Sequence, residues 1–100
     1  MSKTALITGA AGGLGQALML DLAKLGYALI LTDRDDTALQ AVAASVSVSC
    51  EIIVADLRST QDVDRLCQRI EDPQNTVDLL INNAGIGVPG SVSDISADLM

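Results

Sequence analysis

Short aliphatic runs alternate along the chain with segments in which apolar residues recur every three or four positions. Four runs predict buried strands, at residues 4–8, 28–32, 51–55 and 77–81. Three intervening segments predict amphipathic helices, at residues 14–25, 37–46 and 59–70. Strands that alternate with helices indicate right-handed βαβ units and a parallel sheet. We therefore predict a single α/β domain of the Rossmann type over residues 1–100, with strands in the order 3-2-1-4 and helices on both faces.

Two of these helices have boundary signals in the sequence. Gly26 follows the first helix, as glycine often does just past a helix C-terminus. Ser59 and Asp62 form the pattern of a capping box before the third helix, and Pro73 prevents that helix from continuing. The buried face of the first helix is expected to comprise Ala17, Leu18, Leu22 and Leu25.

The composition limits the core and the choice of partners. Of 100 residues, 49% are hydrophobic, and Tyr27 is the only aromatic one, so the core must be aliphatic. The net charge of −7 disfavours nucleic acid and anionic membranes as partners, and the absence of histidine removes the commonest acid–base group. No run is long enough for a signal peptide or a membrane span, so we expect a cytoplasmic protein. Cys50 and Cys67 lack the spacing of a redox or metal pair, and we expect no metal.

Glycine-rich and polar motifs follow each of the four predicted strands. A glycine cluster occupies residues 9–15, Asp33 follows the second strand, Asp56 follows the third, and residues 82–85 read Asn-Asn-Ala-Gly. Because ligands of such sheets bind at the carboxyl ends of the strands, where the strand order reverses, we expect these motifs to form one site. A strand, a glycine-rich turn, a helix, a second strand and then a carboxylate is typical of a dinucleotide-binding βαβ unit.

The glycines in residues 9–15 have separate expected tasks, although an ordinary tight turn would also use glycine. Gly9 makes the turn, Gly13 lets the backbone approach a pyrophosphate, and Gly15 allows the helix to pack closely. The N–H groups near Leu14 point at the pyrophosphate, and Gly12 belongs to the same phosphate-binding turn.

Asp33 is expected to accept hydrogen bonds from both hydroxyls of the adenosine ribose. A solvated or helix-capping acid is the alternative interpretation. A carboxylate at this position repels a 2′-phosphate and so favours NAD over NADP, whereas the neighbouring Arg34 could turn toward that phosphate. No basic residue among positions 10–12 assists Arg34, and we predict NAD as the cofactor, with NADP less favoured.

Three motifs together resemble the short-chain dehydrogenase/reductase family. They are the glycine pattern that begins at Thr8, the Ala-Asp-Leu step at residues 55–57 and the Asn-Asn-Ala-Gly step at 82–85. The resemblance covers essentially the whole chain and aligns it with the N-terminal part of that fold. It implies that Asp56 accepts from the adenine amino group, with the Leu57 N–H close to the ring; as an alternative, Asp56 simply caps the following turn. It also implies a structural role for Asn82, and it places three residues along the adenosine ribose: Asn83, Ala84 and Gly85.

The resemblance implies an NAD(P)-dependent oxidoreductase that transfers hydride between nicotinamide and an alcohol or carbonyl substrate. The family's catalytic Asn, Ser and Tyr-x-x-x-Lys have no match here, since Tyr27 is followed four positions later by Leu31. We therefore expect an incomplete fold that binds cofactor but is inactive alone, and that meets its substrate only in a full-length form. We also expect self-association through an exposed fourth strand. The alternatives are a stand-alone nucleotide-binding module or remnant, a nucleotide-sugar epimerase and, less favoured again, a methyltransferase.

Overall fold

A computed structural model describes residues 3–83. Strands and helices alternate in the order β1 (Thr4–Thr8), α1 (Gly13–Lys24), β2 (Ala28–Asp33), α2 (Asp36–Ala43), β3 (Cys50–Val54), α3 (Thr60–Ile70) and β4 (Leu79–Asn82). All three strand pairings are parallel, and the sheet order is β3-β2-β1-β4. The Rossmann-type sheet and its 3-2-1-4 order, which were predicted from the alternation of strand and helix patterns, are confirmed.

Aliphatic side chains cover both faces of the sheet because successive residues of a strand point in opposite directions. On one face, α1 and α2 pack on the strands through a cluster that includes Ala5, Ile7, Met19, Leu22, Leu29, Leu31, Leu39 and Val42. On the other face, α3 packs through a smaller cluster of Leu6, Ile30, Ala55 and Leu66. On β1, Ala5 and Ile7 belong to the first cluster and Leu6 to the second, so alternate residues of the strand contribute to the core on opposite faces.

The buried face of α1 matches the predicted one only in part: of the four expected residues, Leu22 is buried and Leu18 is half-buried against the core. Met19 and Leu22 are buried, together with Gly15, whereas Ala17 is exposed and Leu25 is 74% exposed. Positions 15, 19 and 22 are spaced by four and three residues, so they lie on one side of the helix. Leu25 lies beyond the last helical residue, where the chain turns toward β2 through Gly26 at φ 90°.

The start of α3 confirms one half of the expected capping box. The Ser59 hydroxyl accepts a hydrogen bond from the Asp62 N–H at 3.3 Å. The Asp62 carboxylate does not return to the Ser59 N–H; it accepts from the Asp56 N–H at 2.8 Å instead. The Ser59 N–H donates to the Asp56 carbonyl at 2.8 Å, so the turn after β3 and the helix start form one hydrogen-bonded unit.

Both ends of β1, the start of β2 and the end of α3 lie where they were predicted, and the other boundaries shift by one to three residues. The α2 helix ends at Ala43 rather than at residue 46, and the Ser45 hydroxyl donates to the Val42 carbonyl at 2.6 Å just past its end. Within residues 3–83, no helix is long and apolar enough to cross a membrane.

Candidate functional site

The glycine-rich loop is anchored to the neighbouring strand by main-chain bonds. Gly9 adopts a φ of 67°, which turns the chain away from β1 and favours glycine. The Ala10 N–H then donates to the Thr32 carbonyl at 3.1 Å, and the Gly12 N–H donates to the Gly9 carbonyl at 3.2 Å. The loop is therefore held at the carboxyl end of β2 as well as at that of β1.

Gly15 is the point of closest approach between α1 and this loop. A Cβ atom at Gly15 would collide with the Gly9 carbonyl oxygen and would lie 2.9 Å from the Ala10 Cα. Both neighbours are main chain and cannot rotate away. The tight packing expected of Gly15 is present, and its partner is the turn of the loop itself.

The first turn of α1 presents N–H groups that have no acceptor within the described residues. They belong to Gly13, Leu14 and Gly15, because the first N–H groups of a helix have no partner inside it. Gly12 is the N-cap and offers no side-chain acceptor, and the first turn contains no acidic residue. A Cβ atom at Gly13 would meet nothing within 4 Å. This helix end can therefore bind an anion without clash or charge repulsion.

Asp33 connects the end of β2 to the glycine-rich loop. Its carboxylate accepts from the Ala11 N–H at 3.1 Å and from the Arg34 N–H at 2.7 Å. The N-cap of α2 is Asp35, not Asp33: the Asp35 carboxylate accepts from the Ala38 N–H at 3.1 Å. The bond from the Ala11 N–H, which holds the carboxylate beside the loop, could not be predicted from the sequence pattern.

Asp56 caps the turn that follows β3, as its alternative interpretation anticipated. One carboxylate oxygen accepts from the Arg58 N–H at 2.9 Å and from Arg58 Nε at 3.1 Å, and the other accepts from an Arg58 Nη at 3.0 Å. The hydrogen bonds from the Arg58 side chain are the main cause that lowers the pKa of Asp56 to about 2. Asp56 is therefore an anion at any pH near neutrality.

Thr8 joins the end of β1 to the segment after β4. Its buried hydroxyl donates to Asn82 Oδ1 at 3.0 Å, lies 3.5 Å from the Ile81 carbonyl, and accepts from the Asn83 N–H at 2.9 Å. Asn82 thus makes a structural contact, through its side chain, with Thr8. Asn83 is positioned through its main chain, and Ala84 and Gly85 lie outside the described residues.

A cavity of about 380 Å³ opens at the carboxyl ends of β1, β2 and β3, a volume typical of small-molecule pockets. Its lining is formed by Gly9, Thr32, Asp33, Arg34, Ala55, Asp56, Leu57 and Arg58. The structure therefore brings five of the expected residues together, while Gly12, Gly13, Leu14, Gly15 and Asn83 lie outside this lining. Sequence reasoning missed Arg58, for which the signal was its position two residues after a turn-capping aspartate.

Comparisons with known proteins support the family resemblance. The family model described as short chain dehydrogenase matches residues 3–100. The NADPH-dependent pterin aldehyde reductase of Arabidopsis thaliana is 34% identical over 100 residues, which cover 97% of this chain and 41% of that protein. The bulky-bulky ketone specific alcohol dehydrogenase from Comamonas testosteroni has a TM-score of 0.78 at 32% identity, covering 87% of this chain and 37% of that one. A short-chain dehydrogenase from Sphingobium yanoikuyae in complex with NADPH has a TM-score of 0.78 at 35% identity, covering 84% and 34%.

These matches extend over most of this chain but over a minor part of each relative. The chain spans between 37% and 42% of the length of the curated relatives. The family model covers nearly every residue, and the solved relatives share the parallel sheet at more than 30% identity. On this evidence, the chain belongs to the short-chain dehydrogenase family.

Proposed function

We propose that this chain forms the cofactor-binding part of an oxidoreductase that transfers hydride between a nicotinamide dinucleotide and an alcohol or carbonyl substrate. The main support is the convergence of Gly9, from the glycine-rich loop, with Asp33 and Asp56 on one cavity, in a chain of the short-chain dehydrogenase family. Two of the relatives described above are an NADPH-dependent reductase and a dehydrogenase in complex with NADPH.

The pyrophosphate is assigned to the start of α1. The N–H groups of Gly13, Leu14 and Gly15 have no acceptor among the described residues, and the positive end of the helix dipole lies there. Gly12 offers no competing carboxylate, and the open space at Gly13 suits a phosphate approaching the backbone. Gly9 contributes by making the turn that aligns this helix end.

The adenosine ribose is assigned to Asp33, and we propose that NAD binds more tightly than NADP. Two main-chain N–H groups hold the Asp33 carboxylate at the cavity, so a 2′-phosphate would lie against a fixed negative charge. Arg34 also lines the cavity, and the NADPH-linked relatives argue for the phosphorylated cofactor. If this chain binds NADP, Arg34 is the residue that would contact the 2′-phosphate, because Arg58 is already bonded to Asp56.

The adenine is assigned to the end of β3, beside Asp56 and Leu57. The segment after β4 keeps the role implied by the resemblance, with Asn83, Ala84 and Gly85 along the adenosine ribose. In this arrangement the bound cofactor supplies the hydride acceptor or donor, and the residues described here bind and orient it. The chain has no Tyr-x-x-x-Lys motif, so we propose that it does not turn over substrate alone. The alternative is a stand-alone nucleotide-binding module.

Calorimetric titration of the protein with NADH and NADPH tests the binding proposal. We expect NADH to bind more tightly, and we expect Asp33→Asn to weaken NADH about ten-fold, the scale of one hydrogen bond to a charged group. The same change should narrow the difference between the two cofactors, because it removes the charge that opposes the 2′-phosphate. Asp21→Asn is the matched control, since Asp21 is exposed on α1 and does not line the cavity.

Each outcome of this titration has a defined meaning. Absence of binding to both dinucleotides would contradict the proposed function. Tighter binding of NADPH would contradict the NAD preference alone and would point to Arg34. Consumption of NADH by the 100-residue chain with a carbonyl substrate would contradict the expected inactivity.

A further inference from the structure

The arginine at position 58 makes an unusually complete set of contacts for an exposed side chain. It is 66% exposed, yet its backbone N–H, Nε and one Nη all bond the Asp56 carboxylate. An ion pair at such a surface position adds little to stability, since water screens it. The geometric effect is larger, because a two-pronged guanidinium contact fixes the plane of a carboxylate.

The backbone of Asp56 is held as firmly as its side chain. Its N–H donates to the Asp62 carboxylate at 2.8 Å, and its carbonyl accepts from the Ser59 N–H at 2.8 Å. With Arg58 on both carboxylate oxygens, neither the main chain nor the side chain of Asp56 can turn without breaking a hydrogen bond. The carboxylate is therefore a rigid acceptor on the wall of the cavity.

The position of this acceptor follows from the sheet order, and the next step rests on the function proposed above. With the pyrophosphate at the start of α1 and the ribose at Asp33 on β2, the base lies one strand further out, at the end of β3. Leu57 supplies an apolar contact there, and Asp56 supplies an acceptor for the edge of the base.

We propose that Arg58 is a positioning residue that makes this site select adenine, a base with a 6-amino group, over a base with a 6-oxo group. A fixed carboxylate accepts a hydrogen bond from the 6-amino group, but it faces the 6-oxo oxygen of hypoxanthine as one acceptor against another. A carboxylate that is free to rotate can reach the neighbouring N1–H of hypoxanthine instead. Arg58 prevents this rotation and so creates the discrimination.

The test compares the binding of NADH with that of its reduced hypoxanthine analogue. The protein is titrated calorimetrically with each compound, as wild type and as Arg58→Gln, Arg58→Lys and Arg69→Gln. We expect the wild type to prefer NADH about ten-fold, as one hydrogen bond to a charged group allows. In Arg58→Gln this preference should fall to less than about three-fold, chiefly because the analogue binds better, and in Arg58→Lys it should be intermediate, since lysine cannot form the fork.

Arg69→Gln is the matched control for the loss of one positive charge and of one guanidinium–carboxylate pair. Arg69 bonds the Glu51 carboxylate through Nε and one Nη at 3.1 Å each, touches neither Asp56 nor Asp62 and does not line the cavity, so the preference should be unchanged. Circular dichroism confirms that each variant is folded. A lower affinity for both compounds with an unchanged ratio would show a merely structural role and overturn the proposal. NADPH is titrated alongside, and a loss of affinity confined to NADPH would make Arg58 a phosphate ligand and overturn the proposal equally.

A second measurement follows the carboxylate itself. The titration of the Asp56 side-chain carbon by NMR should give a pKa of about 2 in the wild type. In Arg58→Gln it should rise toward the ordinary aspartate value of about 3.9. If the wild type binds neither NADH nor its hypoxanthine analogue, the proposed function fails. If it binds these two compounds equally while the pKa of Asp56 stays low, only the role of Arg58 in base selection fails.

Discussion

Replacement of Gly15 by alanine should destabilise the protein through one steric contact. The added Cβ would overlap the Gly9 carbonyl oxygen and lie 2.9 Å from the Ala10 Cα. Both are main-chain atoms in a loop that is itself bonded to β2 through the Thr32 carbonyl. The strain must therefore be relieved by moving α1 away from the loop, which loosens the packing of Met19 and Leu22 on the sheet.

The magnitude follows from two opposing terms. Overpacking of a tight site costs about 1–3 kcal/mol, while alanine gains at most about 1 kcal/mol over glycine in a helix. Because the clash is with main-chain atoms that cannot rotate away, the cost lies in the upper part of that range, at about 2–3 kcal/mol. Subtracting a gain of about 1 kcal/mol leaves a net loss of roughly 1–2 kcal/mol of unfolding free energy. For a domain of this size, each kcal/mol corresponds to roughly 4–8 °C, so the melting temperature should fall by about 4–16 °C.

Gly13→Ala is the control, because it makes the same chemical change two residues earlier in the same helix turn. A Cβ atom at Gly13 meets nothing within 4 Å, and the φ angle of Gly13 is not positive. This variant should be as stable as the wild type or gain up to about 1 kcal/mol from the stiffer unfolded chain. It should nevertheless bind NADH more weakly, because its methyl group enters the space assigned to the pyrophosphate.

Urea titration and thermal unfolding monitored by circular dichroism measure both variants. A Gly15→Ala variant as stable as the wild type would refute the steric reasoning, because it would mean that the loop yields without loss. A Gly13→Ala variant that is as destabilised as Gly15→Ala would refute it as well, since helix-end backbone freedom would then explain both.

Three further predictions concern the strand ends and the acidic residues. Thr8→Val should lose about 1–3 kcal/mol in urea unfolding, because the half-buried Asn82 side chain and Asn83 N–H lose their partner, whereas Thr8→Ser should retain stability. Equal loss in both variants would instead indicate that packing of the methyl group is responsible. Acid should destabilise the fold from about pH 4 down toward pH 2. Hydrogen bonds from Arg58, Arg65 and Asn75 hold the pKa values of Asp56, Asp62 and Asp72, respectively, below their ordinary range, so the unfolded chain binds more protons than the folded one in this range of pH. An unfolding free energy that is unchanged down to pH 2 would contradict this prediction. Within residues 3–83, β4 pairs with β1 alone, and we expect self-association through its other edge, seen as a sedimentation coefficient that rises with concentration; a constant monomer value would exclude it.

The fold could be predicted from the sequence because two independent patterns agree: the unbroken aliphatic runs of the strands and the three- to four-residue spacing of apolar residues in the helices. Strand runs as short as residues 4–8 are buried on both sides, so their positions are visible as unbroken aliphatic stretches. The parallel order then follows from the alternation with helices, since few topologies satisfy right-handed crossovers. The helix face was harder to predict: Leu25 matches the apolar pattern of α1, but it lies past the helix end and is exposed.

The site could be predicted only as a set of strand ends. Gly15 and Asp33 were found because each serves a task that few residue types can perform at that position. The bonds that orient them were not predictable, because the contact from the Ala11 N–H to Asp33 joins residues 22 positions apart. Arg58 was missed for the opposite reason: arginine is common on surfaces, and only the geometry of its contacts with Asp56 distinguishes it from a solvated charge.

Each aspartate can hold its own loop in place and still bind a ligand, as the count of acceptor positions shows. An ionised carboxylate offers about four such positions. Asp33 uses two of them on the Ala11 and Arg34 N–H groups, which leaves two, the number that the two ribose hydroxyls would need. Asp56 uses three on Arg58, which leaves one for a single amino group. These hydrogen bonds therefore orient each carboxylate for the ligand proposed here. The Asp33→Asn variant removes one of the carboxylates, whereas Arg58→Gln removes the group that orients the other.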